Sequence, residues 1–157
     1  MHRAYSSKVE AKINRQISRE LNVSQYYLFV SMHFDRPDVN VPHFARWFRM
    51  LSDEKRERAC KLMQFQNIYG ARIRLTRTRS LHSFITKIGR QSALEIFQIA
   101  SDMEEFEDIV FGVLRESLEG TRCILHHFNF EFSSTKKKEL IDEINKIIAN
   151  LKESIQG

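Results

Sequence analysis

Lys55 stands where a soluble helix ordinarily buries carbon. At about 100° per residue, Phe44, Phe48, Leu51, Ala59, Leu62 and Gln66 all fall within roughly 40° of it, and Arg58 lies about 60° to one side. Burying an unpaired ammonium is very costly, so this face demands an anionic partner. The same construction recurs three times. Glu20 lies within about 40° of Val9, Ile13, Ser24 and Tyr27. Glu107 falls near the centre of a stripe of Ile96, Ala100, Met103, Val110, Phe111, Leu114 and Leu118. Lys137 occupies the centre of a face carrying Phe130, Leu140, Ile141, Ile144, Ile148 and Leu151. One such residue is commonly a long side chain reaching for water. Four at comparable depth, two acidic and two basic with Arg58 beside them, can neutralise one another across a helical bundle. A cluster of this kind is chemically a metal site in which protein cations take the metal's place.

The elements that must carry these residues are long helices. With five Gly and two Pro in 157 residues, little punctuates the chain. A first helix is expected from about Ser7 to Phe34, capped by Ser6 or Ser7, with Val9, Ile13, Ile17, Ser24, Tyr27, Ser31 and Phe34 on one face. The stretch from Asp35 to Pro42 breaks the pattern, and Pro42 suits the first turn of a second helix. That helix runs to about Tyr69 and stops at Gly70. Residues 71 to about 89 alternate basic with neutral side chains. A lone strand would have nothing to pair with, so they read as a long extended crossover. A third helix follows from about Arg90 to Glu119, Gly120 breaks it, and a fourth spans about Thr121 to Ser154. The alternation of Phe128, Phe130 and Phe132 also fits a strand, which again would lack a partner. The sequence therefore predicts an all-α four-helix bundle, up-down, crossover, up-down, in one domain covering 1–157.

Composition narrows the class of function. An apolar fraction of 42% with 29% charged residues is an ordinary soluble balance, and the net charge of +5 favours anionic partners modestly. Cys60 and Cys123 make neither a disulfide framework nor a metal spacing, which points to a reducing compartment. The start of the chain shows no secretory signal, and no apolar run reaches the length of a membrane span. A cytoplasmic protein without a membrane partner is expected.

Several segments carry a family resemblance. Glu10-Ala11-Lys12-Ile13-Asn14-Arg15-Gln16-Ile17, with Glu20-Leu21 after it, resembles the first helix of animal ferritins. His33-Phe34-Asp35-Arg36-Pro37-Asp38-Val39 is similar to their first turn. Lys61-Leu62-Met63-Gln64-Phe65-Gln66-Asn67, followed by Gly70-Ala71-Arg72-Ile73, resembles the end of their second helix. Over 90–153 the likeness rests on the helical pattern, Glu107 and Ile148-Ala149-Asn150-Leu151. The resemblance implies a ferritin-like four-helix bundle, iron handling and a hollow multi-subunit shell, formed as a homo-oligomer or by co-assembly with other ferritin subunits. The short fifth helix that lines the family's four-fold axes has no counterpart before Gly157.

Heavy-chain ferritins oxidise Fe(II) at a di-iron site within each bundle. By resemblance, this chain keeps the first-helix Glu as Glu20 and the Tyr as Tyr27, whereas Lys55 and Arg58 replace the second-helix Glu-x-x-His ligands. Lys137 falls in the fourth-helix Gln slot. Ungapped counting from Asn150-Leu151 puts Met103 in the third-helix Glu slot with Glu104 beside it; Glu107 is preferred as the carboxylate on the apolar face, with Glu104 as the alternative. Lysine and arginine offer no lone pair to a metal at neutral pH, and their charges repel Fe(II). A heavy-chain-like sequence with a light-chain-like, lost ferroxidase site is the expected outcome. Iron (Fe2+/Fe3+) would then be weakly or surface bound, with none at a formed di-iron site. Glu20 and Glu107 remain as remnant ligands. Asp53, Glu54 and Glu57, on the polar side of the second helix, suit hard cations at a mineral surface; they also read as a solvated face paired with Arg56, Arg58 and Lys61.

Where the family places acidic pore residues, this chain reads Arg122-Cys123-Ile124-Leu125-His126-His127, and adjacent histidines point apart on a helix. Two other functions compete with non-catalytic storage. The basic crossover (Arg72, Arg74, Arg77, Arg79, Lys87, Arg90) and Lys136–Lys138 could contact nucleic acid phosphates in a bundle that no longer stores iron. A displaced ferroxidase site built from Glu20, Glu107 and Glu104 is the third reading.

Overall fold

A computed structural model describes residues 2–76 and 81–156. Six α-helices make up its regular structure together with one short 3₁₀ turn, and there is no strand among the described residues. The chain divides into two compact units, Met1–Gly89 and Arg90–Gly157.

The N-terminal unit is built on α1 (Ser7–Asp35) and α2 (Pro42–Ile68). Ser6 caps α1, its hydroxyl accepting from the Val9 amide at 3.2 Å. The turn between them is fixed by Arg36, whose guanidinium donates twice to the Asp38 carboxylate at 3.0 and 2.8 Å. Pro42 opens α2 as expected, and Gly70 takes the left-handed φ of 73° just beyond its end.

The two helices run antiparallel, and side chains pin their register to backbone. Ser24 Oγ donates to the Ser52 carbonyl and Ser52 Oγ donates back to the Ser24 carbonyl, each at 2.7 Å. Further along, Ser31 Oγ reaches the Ala45 carbonyl at 2.6 Å, and Gln66 Nε2 reaches the Glu10 carbonyl at 3.0 Å. Between these pins lies an apolar and aromatic core that includes Ile13, Ile17, Tyr27, Phe34, Phe48, Leu51 and Leu62. Every residue expected on the buried face of α1 is buried. Asn14, Gln16, Ser18, Tyr26 and Val30 are buried as well, and the following connection meets three of them, Asn14, Ser18 and Tyr26.

That connection departs from expectation. Residues 71–76 are irregular and lie along α1: Arg72 N donates to Glu10 Oε2, Asn14 bridges the Arg72 carbonyl and the Arg74 amide, and Thr76 N donates to Ser18 Oγ. Arg77 and Arg79 lie outside the described residues. Residues 82–90 are not extended. They form α3 (His82–Lys87) and the 3₁₀ turn Ile88–Arg90, and Phe84 meets Tyr26 edge-on with ring centres 6.3 Å apart. Leu81, Phe84, Ile85 and Ile88 fall at helical rather than strand spacing, a period that a basic alternation upstream obscured.

In the C-terminal unit, α4 (Ala93–Ser117) is capped by Ser92, which accepts from the Glu95 amide at 3.1 Å. The expected single fourth helix is two: α5 (Arg122–Glu131) and α6 (Ser134–Gln156). Phe132, at φ −124° and ψ 73°, leaves helical geometry between them. This also corrects the core. Phe130 is 80% exposed, whereas Phe128 and Phe132, an i, i+4 pair, pack with Phe111 at ring-centre distances of 4.8–5.8 Å. Arg115 fastens this corner, donating to the Phe132 carbonyl at 2.7 Å and to Asn129 at 3.1 Å. On α4 the buried face is rotated toward Phe97, Ser101 and Glu104, which leaves Met103 and Val110 only half-buried.

Candidate functional site

The ionisable residues singled out by their apolar surroundings are buried in fact. Glu20, Lys55, Glu107 and Lys137 are each 5% exposed or less. They meet their partners within the two units as follows.

In the N-terminal unit, Glu20 projects from the middle of α1. Its Oε1 accepts from Gln16 Nε2 at 2.8 Å and lies 3.8 Å from Arg58 Nε on α2. Arg19 closes a short chain by donating to Gln16 Oε1 at 3.1 Å. Lys55 is buried on the same face of α2, one turn before Arg58. Tyr27 is fully buried about two turns farther along α1 and packs on Phe48 and Tyr26, with ring centres 5.7 and 5.8 Å away. Tyr26 is a residue the sequence did not single out. Its hydroxyl is buried with no hydrogen-bond partner among the described residues, and burial pushes its pKa up to about 12.

In the C-terminal unit, the Lys137 ammonium on α6 donates to Glu104 Oε1 at 3.1 Å and to Glu107 Oε2. The two carboxylates are one helical turn apart on α4, so a single cation on the facing helix can serve both. Glu104 and Glu107, the two carboxylates weighed for this position, thus face the same ammonium. Ser101 supports the same interface through Asn145 at 3.2 Å. Lys137 is thereby withdrawn from the basic surface run, which retains only Lys136 and Lys138 as exposed cations.

Chemically, the cations that face these carboxylates are nitrogen donors with no free lone pair at neutral pH, and in the C-terminal unit the single Lys137 ammonium serves two carboxylates. A ligand set for a transition metal needs oxygen, sulfur or unprotonated imidazole donors converging on one point. Among the described residues, no group of three or more His, Cys, Asp or Glu side chains is arranged to hold a metal ion. The surface candidates are dispersed. Asp53, Glu54 and Glu57 are exposed on α2, with Asp53 3.9 Å from Arg49. His126 is exposed, and His127 Nε2 sits 3.8 Å from Glu131. No helix among the described residues is long and apolar enough to cross a membrane.

Comparison with known proteins adds what geometry alone does not. The family model described as a ferritin-like domain matches residues 10–106, a span that begins in α1 and ends within α4. The soma ferritin of Lymnaea stagnalis is 33% identical over 154 residues, covering 96% of this chain and 81% of the relative. Chloroplastic ferritins of Phaseolus vulgaris and Malus baccata var. xiaojinensis are 36% and 35% identical over 101 residues. That alignment covers 64% of this chain and 40% of those two plant proteins. This chain belongs to the ferritin family.

Proposed function

We propose that the chain is a non-catalytic, light-chain-like ferritin subunit, cytoplasmic, that stores iron by joining a multi-subunit shell. The observation that carries this reading is the engagement of the carboxylates by protein cations. Glu104 and Glu107 share the Lys137 ammonium, and Glu20 faces Arg58. A divalent ion entering either cluster would have to displace a positively charged side chain that a covalent backbone holds in place. In this reading iron is cargo, held weakly at carboxylates such as Asp53, Glu54 and Glu57, and it is not oxidised at a resident di-iron centre.

The match over residues 10–106 crosses the boundary between the two helical units. It supports reading 1–157 as one ferritin-like four-helix domain with an up-down, crossover, up-down course. Assembly as a homo-oligomer, or with other ferritin subunits, follows from the same membership, with a helical dimer as the smallest unit.

The test is size-exclusion chromatography with light scattering and iron analysis, in reducing buffer, after aerobic loading with Fe(II). Iron should co-elute with an oligomer of dimer mass or larger. A monomer at micromolar concentration that elutes without iron would overturn the storage reading.

A further inference from the structure

Gly112 lies in the interior of α4, where glycine is destabilising relative to alanine. Packing within the chain does not require it, because a Cβ added there would meet nothing within 4 Å. The position is a notch in the helix surface, and its surroundings give that surface a definite chemistry.

Ile109 and Val113 flank the notch, and Phe106 lies one turn before Ile109. Phe106, Ile109 and Val113 are 50%, 65% and 44% exposed. They fall within an arc of about 60° and span about 10 Å of helix. That arc lies about 100° to 180° round α4 from Glu104 and Glu107, the carboxylates that face α6. Ile99, Met103 and Val110, between the stripe and the buried face, are half-buried. Exposed apolar residues scattered singly are ordinary, whereas an aligned group on one helix face marks a contact surface.

The border of this stripe is acidic. Asp102 continues it one turn before Phe106, and Glu105 and Glu116 lie along the side that carries Gly112. All three are exposed, and none makes an ion pair among the described residues. Within Ala93–Ser117 there are 7 acidic residues and one basic one. That one, Arg115, is committed to the Phe132 carbonyl and to Asn129.

We propose that this side of α4 is a docking surface for a basic amphipathic helix of another protein. An apolar stripe at i, i+3 and i+7 matches the spacing at which such a helix presents its own apolar face. The notch at Gly112 lets a ridge of the incoming helix sink between Ile109 and Glu116. The acidic border selects Lys and Arg on the partner's flanks and disfavours the same acidic face of a second copy. None of the carboxylates assigned above to iron lies on this surface, so the proposal is independent of the storage reading.

The test is fluorescence anisotropy in the absence of iron, with the full-length chain and a labelled leucine–lysine amphipathic helix about four turns long. A peptide of the same composition in scrambled order should bind at least tenfold more weakly. Ile109→Ser with Val113→Ser should weaken binding of the amphipathic helix at least tenfold. Gly112→Leu should weaken it as much while leaving the thermal midpoint equal or higher, since leucine is the better helix former and meets nothing in the chain. That combination separates a filled notch from a damaged fold. Glu105→Gln with Glu116→Gln should give a smaller loss and a shallower salt dependence. Phe29→Ser with Met32→Ser, at exposed apolar positions of α1, should leave affinity within about twofold.

Equal binding of the scrambled peptide would reduce the effect to net charge and overturn the proposal. Unchanged affinity in Gly112→Leu, or an equal loss from the α1 pair, would overturn it as well. Preferential binding to phosphatidylcholine vesicles, abolished by the Ile109 and Val113 changes, would assign the stripe to lipid instead. Self-association abolished by the same changes, without peptide binding, would assign it to a second copy and equally overturn the proposal.

Discussion

The two helical units hold an antiparallel pair together by different means. Between α1 and α2, hydroxyls and amides reach across to backbone carbonyls at Ser24, Ser31, Ser52 and Gln66, and aromatic rings fill the space between. Between α4 and α6 the centre is an ion triad, and α6 fully buries only Lys137 and Ile144. Many short-range neutral bonds make the first pair tolerant of losing any one of them. A buried cation serving two carboxylates concentrates dependence on a single side chain, because removing it strands two charges at once. The first pair also carries a buried charge contact, Glu20 Oε1 lying 3.8 Å from Arg58 Nε, but there the ionic contact stands among many neutral ones.

The largest test of that difference is Lys137→Met. It should cost about 3–5 kcal/mol, the range for breaking a buried ion pair by removing one partner. Hydrogen exchange should rise first in α4 and α6. Adding Glu104→Gln and Glu107→Gln should recover part of the loss, since the stranded charges go with them. If the single change costs less than about 1 kcal/mol in urea, the triad is not what joins these helices.

A smaller effect is expected in the other unit. Ser24→Ala removes one of two reciprocal hydrogen bonds and strands the Ser52 carbonyl only partly, because the helix still uses it; about 1 kcal/mol is the expected loss. A loss matching that of Lys137→Met would erase the contrast between the units.

The smallest effect concerns pH. The Arg72 amide holds the Glu10 carboxyl below the usual glutamate range; burial opposes it, and Arg3 and Arg74 add to the lowering. A depressed folded value means that its contribution is complete above the unfolded glutamate value of about 4.3. It is lost as pH falls through the folded value. Protection of the Arg72 amide should thus persist at pH 6 and decline below about pH 4, and Glu10→Gln should remove that dependence. Unchanged protection across this range would detach the connection 71–76 from Glu10.

Helix existence and the buried face of α1 were legible because period, caps and breakers agreed there: Ser6, Pro42 and Gly70 all act as expected. The division of α5 from α6 was not legible, since Phe132 and Ser133 carry no Gly or Pro to mark it. An alternating Phe triplet conceals an i, i+4 pair, so Phe130 was read as core when Phe128 and Phe132 are. α3 was hidden behind a basic alternation that looked extended. Of the site, burial of Glu20, Lys55, Glu107 and Lys137 followed from helical phase alone. The pairing of Lys137 with both Glu104 and Glu107 did not, because a rotation of α4 by a fraction of a turn decides which carboxylates face inward.

The proposal that the interior carboxylates, faced by Lys137 and Arg58, do not assemble an iron-oxidising centre meets its most direct test in stopped-flow absorbance after mixing Fe(II) with the aerobic protein at neutral pH. The account predicts oxidation no faster than in the protein-free control. Saturable turnover that Glu20→Ala abolishes would contradict it.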